Sequence, residues 1–293
     1  MTAAKILCPI DFSAGSRRAM QIAVRLANQA DVELVLAHVW HVPAVSYETE
    51  LAYPTGAMER LIAEAKHHLA NAVRDATDLG ARRVSSRFVA GLPRDQIVEL
   101  AADPAIELVV IGTRGRSGIA ELRLGSVAAY VVRHAPCSVL AVHEHDRIDG
   151  FRRVLFPIDF SDSSRRAVEL APELVDRGDD AKITLLHVIE PPITLSGEPT
   201  LLGLDDALKQ HVTAVLAQWA TQVQATIAVP VATRSRIGDP AAQVLDVLRE
   251  SPPFDLAIVG SHGRTGFRRL LLGSVAEKLV RHSPCPVLVA RKR

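Results

Sequence analysis

Cysteine is scarce in this sequence, and long apolar runs and a large excess of either charge are missing. Its 293 residues hold three cysteines, an odd number without close spacing, so no disulfide framework is expected and a reducing compartment fits. No apolar run reaches the ~18 residues of a membrane-spanning helix. The opening MTAAKILCPIDFS passes from a short apolar run straight into Asp11, unlike a signal peptide, and the expected location is the cytoplasm. With 34 Lys and Arg against 33 Asp and Glu, the formal charge of +1 gives no bulk attraction to nucleic acid or to an acidic membrane surface. What the chain does have is 48% hydrophobic residues and a length that suits two domains of about 150 residues.

Those two domains are visible as a repeat. KILCPIDFSAGSRRAM, Lys5 to Met20, returns as RVLFPIDFSDSSRRAV, Arg153 to Val168, with 10 of 16 positions identical at an offset of 148. GTRGRSGIAELRLGSVA, from Gly112, returns as GSHGRTGFRRLLLGSVA, from Gly260, at the same offset. LVLAHVW answers ITLLHVI, and VAGLPRDQIVEL answers RIGDPAAQVLDV. The join falls near HEHDRIDG, which divides the chain into residues 1–146 and 147–293.

Within the first copy the pattern predicts strands at Lys5–Pro9, Glu33–Trp40, Arg83–Ala90, Glu107–Ile111 and Ser138–Val142. Between them it predicts helices from Ser13 or Ser16 to about Gln29, Met58 to Leu79, Pro93 to Ala102, and Ser126 to His134. Runs such as ELVVI and DLAIV lack alternation, as strands buried on both faces do. Five strands alternating with four helices make a doubly wound α/β domain with a parallel sheet. Ligands of such sheets bind beyond the carboxyl ends of the strands.

Two motifs leave strand ends and open toward that crevice. PID leaves the first strand, and the glycine-rich loop leaves the fourth. Gly112 and Gly115 suit a sharp exit from the sheet, and Gly125 with Ser126 suits the start of a helix whose free N–H groups attract anions. The Ser126 hydroxyl is placed either to cap that helix or to bind a phosphate oxygen. Arg114 and Arg116 add charge that forks onto phosphate. The loop reads as a phosphate cradle. It is neither G-x-x-x-x-G-K-[ST] nor G-x-G-x-x-G but G-x2-G-x9-G-[ST], met by Gly112, Gly115, Gly125, Ser126 and again by Gly260, Gly263, Gly273, Ser274.

On this motif, intact in both copies, the chain resembles the universal stress protein family in its tandem two-domain, ATP-binding form, over nearly its full length. The resemblance implies strand order 3-2-1-4-5 and ATP in the crevice, accompanied by Mg²⁺. Carried over by position, Pro9, Asp11 and Val39 face adenine and ribose. Gly112, Thr113, Arg114, Gly115, Arg116, Ser117 and Gly118, with Gly125, Ser126 and Val127, hold the phosphates. The second copy supplies Pro157, Asp159 and Val188, then Gly260, Ser261, His262, Gly263, Arg264, Thr265 and Gly266, with Gly273, Ser274 and Val275. Arg114 is His262 in the second copy, so the two sites are expected to differ.

Other motifs carry less. Asp11 and Asp159 also suit helix capping. HVWH, His38 to His41, resembles a nucleotidylyl-transfer motif only superficially, since the other copy reads HVIE. HEHD reads as a solvated linker rather than a metal site, and Cys137 and Cys285 as small buried residues. The expected function is nucleotide-dependent stress response or signalling with one ATP per domain. The alternative is a slow ATPase or nucleotidyl-transfer enzyme using the same crevice. Each copy ends in a short apolar strand with no helix after it, so the last strands are expected to pair antiparallel within the chain, with further self-association an option.

Overall fold

The computed structural model describes residues 4–41, 56–115, 124–147, 149–191, 206–227, 229–262 and 272–291. It divides into two compact units, residues 1–145 and 146–292. The first unit runs β1 (Lys5–Pro9), α1 (Ala14–Ala30), β2 (Glu33–Trp40), α2 (Ala57–Asp78), β3 (Val84–Ala90), α3 (Pro93–Ala101), β4 (Ile106–Gly112), α4 (Ser126–His134) and β5 (Ser138–Val142). Its strands lie in the order β3-β2-β1-β4-β5, and every adjacent pair is parallel.

Burial explains why these segments pair as they do. Val109, Val110 and Leu7 are essentially inaccessible, which suits strands covered on both faces. α1 turns Ala19, Ile22, Ala23 and Leu26 onto the sheet, the i, i+3, i+4, i+7 stripe of a half-buried helix. Each large side chain buried in this way contributes about 1.5–3 kcal/mol. α1 ends at Asp31, which adopts φ 52° and donates its N–H to the Ala27 carbonyl.

The second unit runs β6 (Arg153–Pro157), α5 (Asp162–Glu169), α6 (Ala171–Leu174), β7 (Lys182–Ile189), α7 (Asp206–Thr226), β8 (Val231–Ile237), α8 (Pro240–Leu248), β9 (Leu256–Gly260), α9 (Ser274–His282) and β10 (Val287–Ala290). Its order, β8-β7-β6-β9-β10, repeats the first unit with parallel pairs throughout. One element differs. The 17-residue helix α1 is matched by two short pieces, α5 and α6, with Leu170 capping the first. Pro172 stands in the second piece, where it has no N–H to give back to the preceding turn.

Candidate functional site

In the first unit β1 and β4 are neighbours, so what leaves their carboxyl ends meets. After Pro9 the chain makes one more sheet bond, Ile10 N–H to the Ala37 carbonyl at 2.7 Å, and then turns away. The turn is held by Asp11, whose Oδ1 accepts from the Ser13 N–H at 3.0 Å and the Ser13 hydroxyl at 2.6 Å. Between them Phe12 sits at φ 66°, a left-handed conformation that costs roughly 1–2 kcal/mol without glycine. Its ring packs on His38 with centroids 4.6 Å apart. Buried His38 in turn donates from Nδ1 to the Ile10 carbonyl at 2.7 Å. Strain held by packing in this way is frequent at binding sites.

Asp11 and Asp159 are not helix caps. That place belongs to Ser13 and Ser161, whose hydroxyls accept from the N–H of Ser16 and Ser164. The aspartates brace the turn in front of the cap. Ser126 is not a cap either: Gly125 holds that position with no side-chain hydrogen bond, and Ser126 is the first helical residue. The first N–H groups of α4 therefore face the crevice without a capping side chain from their own helix.

The loop glycines serve close approach rather than a left-handed turn. Neither Gly112, Gly115 nor Gly125 is among the positive-φ residues. A Cβ on Gly112 would lie 2.7 Å from the Gly15 carbonyl carbon, and one on Gly115 would lie 2.7 Å from Asp11 Oδ2. The first glycine lets β4 touch the start of α1. The second lets the loop pass the carboxylate that β1 delivers. The loop then returns to itself, with the Gly125 N–H donating to the Thr113 carbonyl at 2.7 Å.

These pieces enclose a cavity of about 590 Å³, lined by Pro9, Asp11, Val39, the Gly112–Gly115 segment and Gly125–Val127. Pro93 and Ile97 of α3 form a wall that sequence reasoning did not assign, as do His38 and Ser16. The signal for His38 was present, since it recurs at the same strand position in the other copy. Fully buried Thr113 Oγ1 has no hydrogen-bond partner among the described residues.

The second unit repeats the frame. Asp159 Oδ1 accepts from the Ser161 N–H at 3.0 Å and the Ser164 hydroxyl at 2.6 Å, and Phe160 sits at φ 65°. His187 Nδ1 donates to the Ile158 carbonyl at 2.8 Å. The Gly273 N–H closes the loop on the Ser261 carbonyl at 2.9 Å. A cavity of about 380 Å³ collects Pro157, Asp159, Val188, Gly260, His262 and Gly273–Val275. Burial lowers the His262 pKa, helped by the charges of Arg291 and Arg166, while its Nδ1 lies 2.9 Å from the Ser261 hydroxyl.

Of the residues assigned from sequence, Arg116, Ser117, Gly118, Gly263, Arg264, Thr265 and Gly266 lie outside the described residues. All the others line one of the two cavities except Ser261, which is buried beside His262. Cys8, Cys137 and Cys285 are buried, and burial pushes the Cys285 thiol up to about 12. Half-buried Arg18 donates to the Glu144 carbonyl at 3.1 Å. Among the described residues no group of three His, Cys, Asp or Glu side chains is set to hold a metal, and no helix is long and apolar enough to cross a membrane.

Fold and site together define a doubly wound α/β protein with the same strand-end crevice built twice. The chain belongs to the universal stress protein family, which it matches over residues 3–143 and again over 150–291. It is 29% identical to a universal stress protein of Mycolicibacterium smegmatis over 298 residues, covering 98% of this chain and 97% of that one. A universal stress protein of Mycobacterium tuberculosis is 32% identical over 249 residues, covering 78% of this chain and 77% of that one. The crystal structure of a universal stress protein from Archaeoglobus fulgidus superposes with a TM-score of 0.74 at 22% identity, and the match covers 100% of both chains. That likeness bears on the fold.

Proposed function

We propose that the crevices bind adenine nucleotide, ATP in the first instance, and that occupancy is the working state of a stress-response or signalling protein. The observation that carries this reading is the convergence in the first unit. Asp11, the Gly112–Gly115 segment and the uncapped start of α4 line one cavity of about 590 Å³, within the range of small-molecule sites. The fit to a phosphate chain rests on three features. Gly115 leaves open a space beside Asp11 that a Cβ would fill, Thr113 Oγ1 is a buried polar atom lacking a partner among the described residues, and Arg114 supplies a fixed positive charge. Asp11, braced by Ser13, is placed to accept from a ribose hydroxyl, and Pro9 and Val39 offer apolar surface to a base. Mg²⁺ would enter this reading with the phosphates and neutralise their charge, and Asp11, the acidic side chain among the described residues of the first lining, would be the residue to hold it.

We favour binding over turnover. Hydrolysis needs a group that orients the attacking water, and Asp11, the one carboxylate among the described residues of the first lining, has an oxygen engaged by the Ser13 N–H and hydroxyl. Gly115→Val, which places its side chain against Asp11, is expected to remove about one nucleotide per chain in calorimetry. Undiminished binding would discard the site. Phosphate release at ~1 s⁻¹ or faster would favour the enzyme reading.

A further inference from the structure

We propose that the two crevices take different nucleotides: the first unit a nucleoside triphosphate, the second a nucleoside monophosphate. This rests on the nucleotide-binding reading above and adds which ligand goes where.

Two matched positions carry the assignment, and both weaken the phosphate end of the second crevice. Arg114 is replaced by His262. A guanidinium keeps its charge and can fork onto two phosphate oxygens, whereas a neutral imidazole brings one donor at most. Gly15 is replaced by Ser163. In the first unit the Arg114 carbonyl lies where a Cβ on Gly15 would be only 2.6 Å away, and the Ser13 hydroxyl donates to it at 3.3 Å. A serine at that step excludes this path. In the second unit the Ser163 hydroxyl instead accepts the His262 N–H at 3.3 Å, which engages a backbone donor of the cradle. A further difference lies two residues after Val39 and Val188, where exposed His41 of the first lining is exposed Glu190 in the second and adds a negative charge there.

At the nucleoside end the three assigned residues are kept. Pro157, Asp159 and Val188 line the second cavity as their counterparts line the first, and the start of α9 still offers N–H groups that suit a single phosphate. The second space is smaller, about 380 Å³ against 590 Å³, and has Leu186 where the first has Ala37.

Calorimetry on the full chain with Mg²⁺ tests this, using ATP and AMP as separate titrants. Wild-type protein is expected to take one ATP per chain at least tenfold more tightly than a second, while AMP binds without displacing the first ATP. The double change Ser163→Gly with His262→Arg should strengthen the second ATP site at least fivefold and weaken AMP, a gain that misfolding cannot mimic. Gly15→Ser should weaken the first ATP at least tenfold and leave AMP binding in place, with circular dichroism checking the fold. Equal wild-type affinity for two ATP molecules, or no response to the double change, overturns the assignment and leaves the nucleotide reading standing. If neither ATP nor AMP binds, the nucleotide reading fails, and the assignment with it.

Discussion

Gly15 and Ser163 stand at the same step of the two units, the first turn of the helix that follows the crevice aspartate. Without a Cβ, Gly15 admits the Arg114 carbonyl and the end of β4 in close approach. With one, Ser163 holds the loop by its hydroxyl instead, on the His262 N–H. Around this difference the frame stays constant: the aspartate-braced turn, the left-handed phenylalanine and the histidine bonded to the carbonyl before it. The two copies share this braced turn and differ in the residues that follow β4 and β9 and in the helix step packed against them.

The largest effect should come from the closest approach. Gly112→Val forces a side chain into the Gly15 backbone and should cost the first unit about 3 kcal/mol, read as a lowered urea midpoint. Gly260→Val meets Ser163, including its backbone carbon at 2.8 Å, and should cost about as much in the second unit. A small cost in either would mean that β4 or β9 and its helix do not touch as described.

The shared frame is sharpened by paired changes. His38→Ala and His187→Ala each leave a buried carbonyl without its donor and should each cost about 1–3 kcal/mol. Unequal costs would show that the repeated histidine serves the two units differently. Ser13→Ala and Ser161→Ala each remove a cap worth about 1 kcal/mol. Ser13→Ala should also weaken ATP binding in the first crevice, because Ser13 braces both Asp11 and the Arg114 carbonyl.

Acid should act on the second unit through His262. Its folded pKa lies below the usual imidazole value near 6.5, so the unfolded chain takes up the proton first. The stability this contributes is present above that value and is lost as the pH falls through the folded pKa. His262→Gln should flatten this part of the stability profile, and an unchanged profile would remove His262 as its source.

The architecture was legible because buried parallel strands and amphipathic helices write their periods plainly. ELVVI is such a strand, and the stripe from Ala19 to Leu26 is such a helix. The break after α5 was marked by Pro172, yet the repeat alone suggests a continuous helix like α1. The site was legible as a set of residues and misleading as to their roles. A glycine looks the same in sequence whether it serves a positive φ or a close approach, so Gly112 and Gly115 read as turns and proved to be contacts. Aspartate before serine looks the same whether it caps or braces. Ser16 joins the crevice through strand-to-helix geometry that no local pattern encodes.

Native mass spectrometry of the wild-type chain titrated with ATP tests the inequivalence of the two crevices most directly. The expected spectrum passes through a dominant singly loaded species, with the doubly loaded one appearing only at tenfold or more higher ATP. A statistical mixture of singly and doubly loaded chains from the first additions would contradict it.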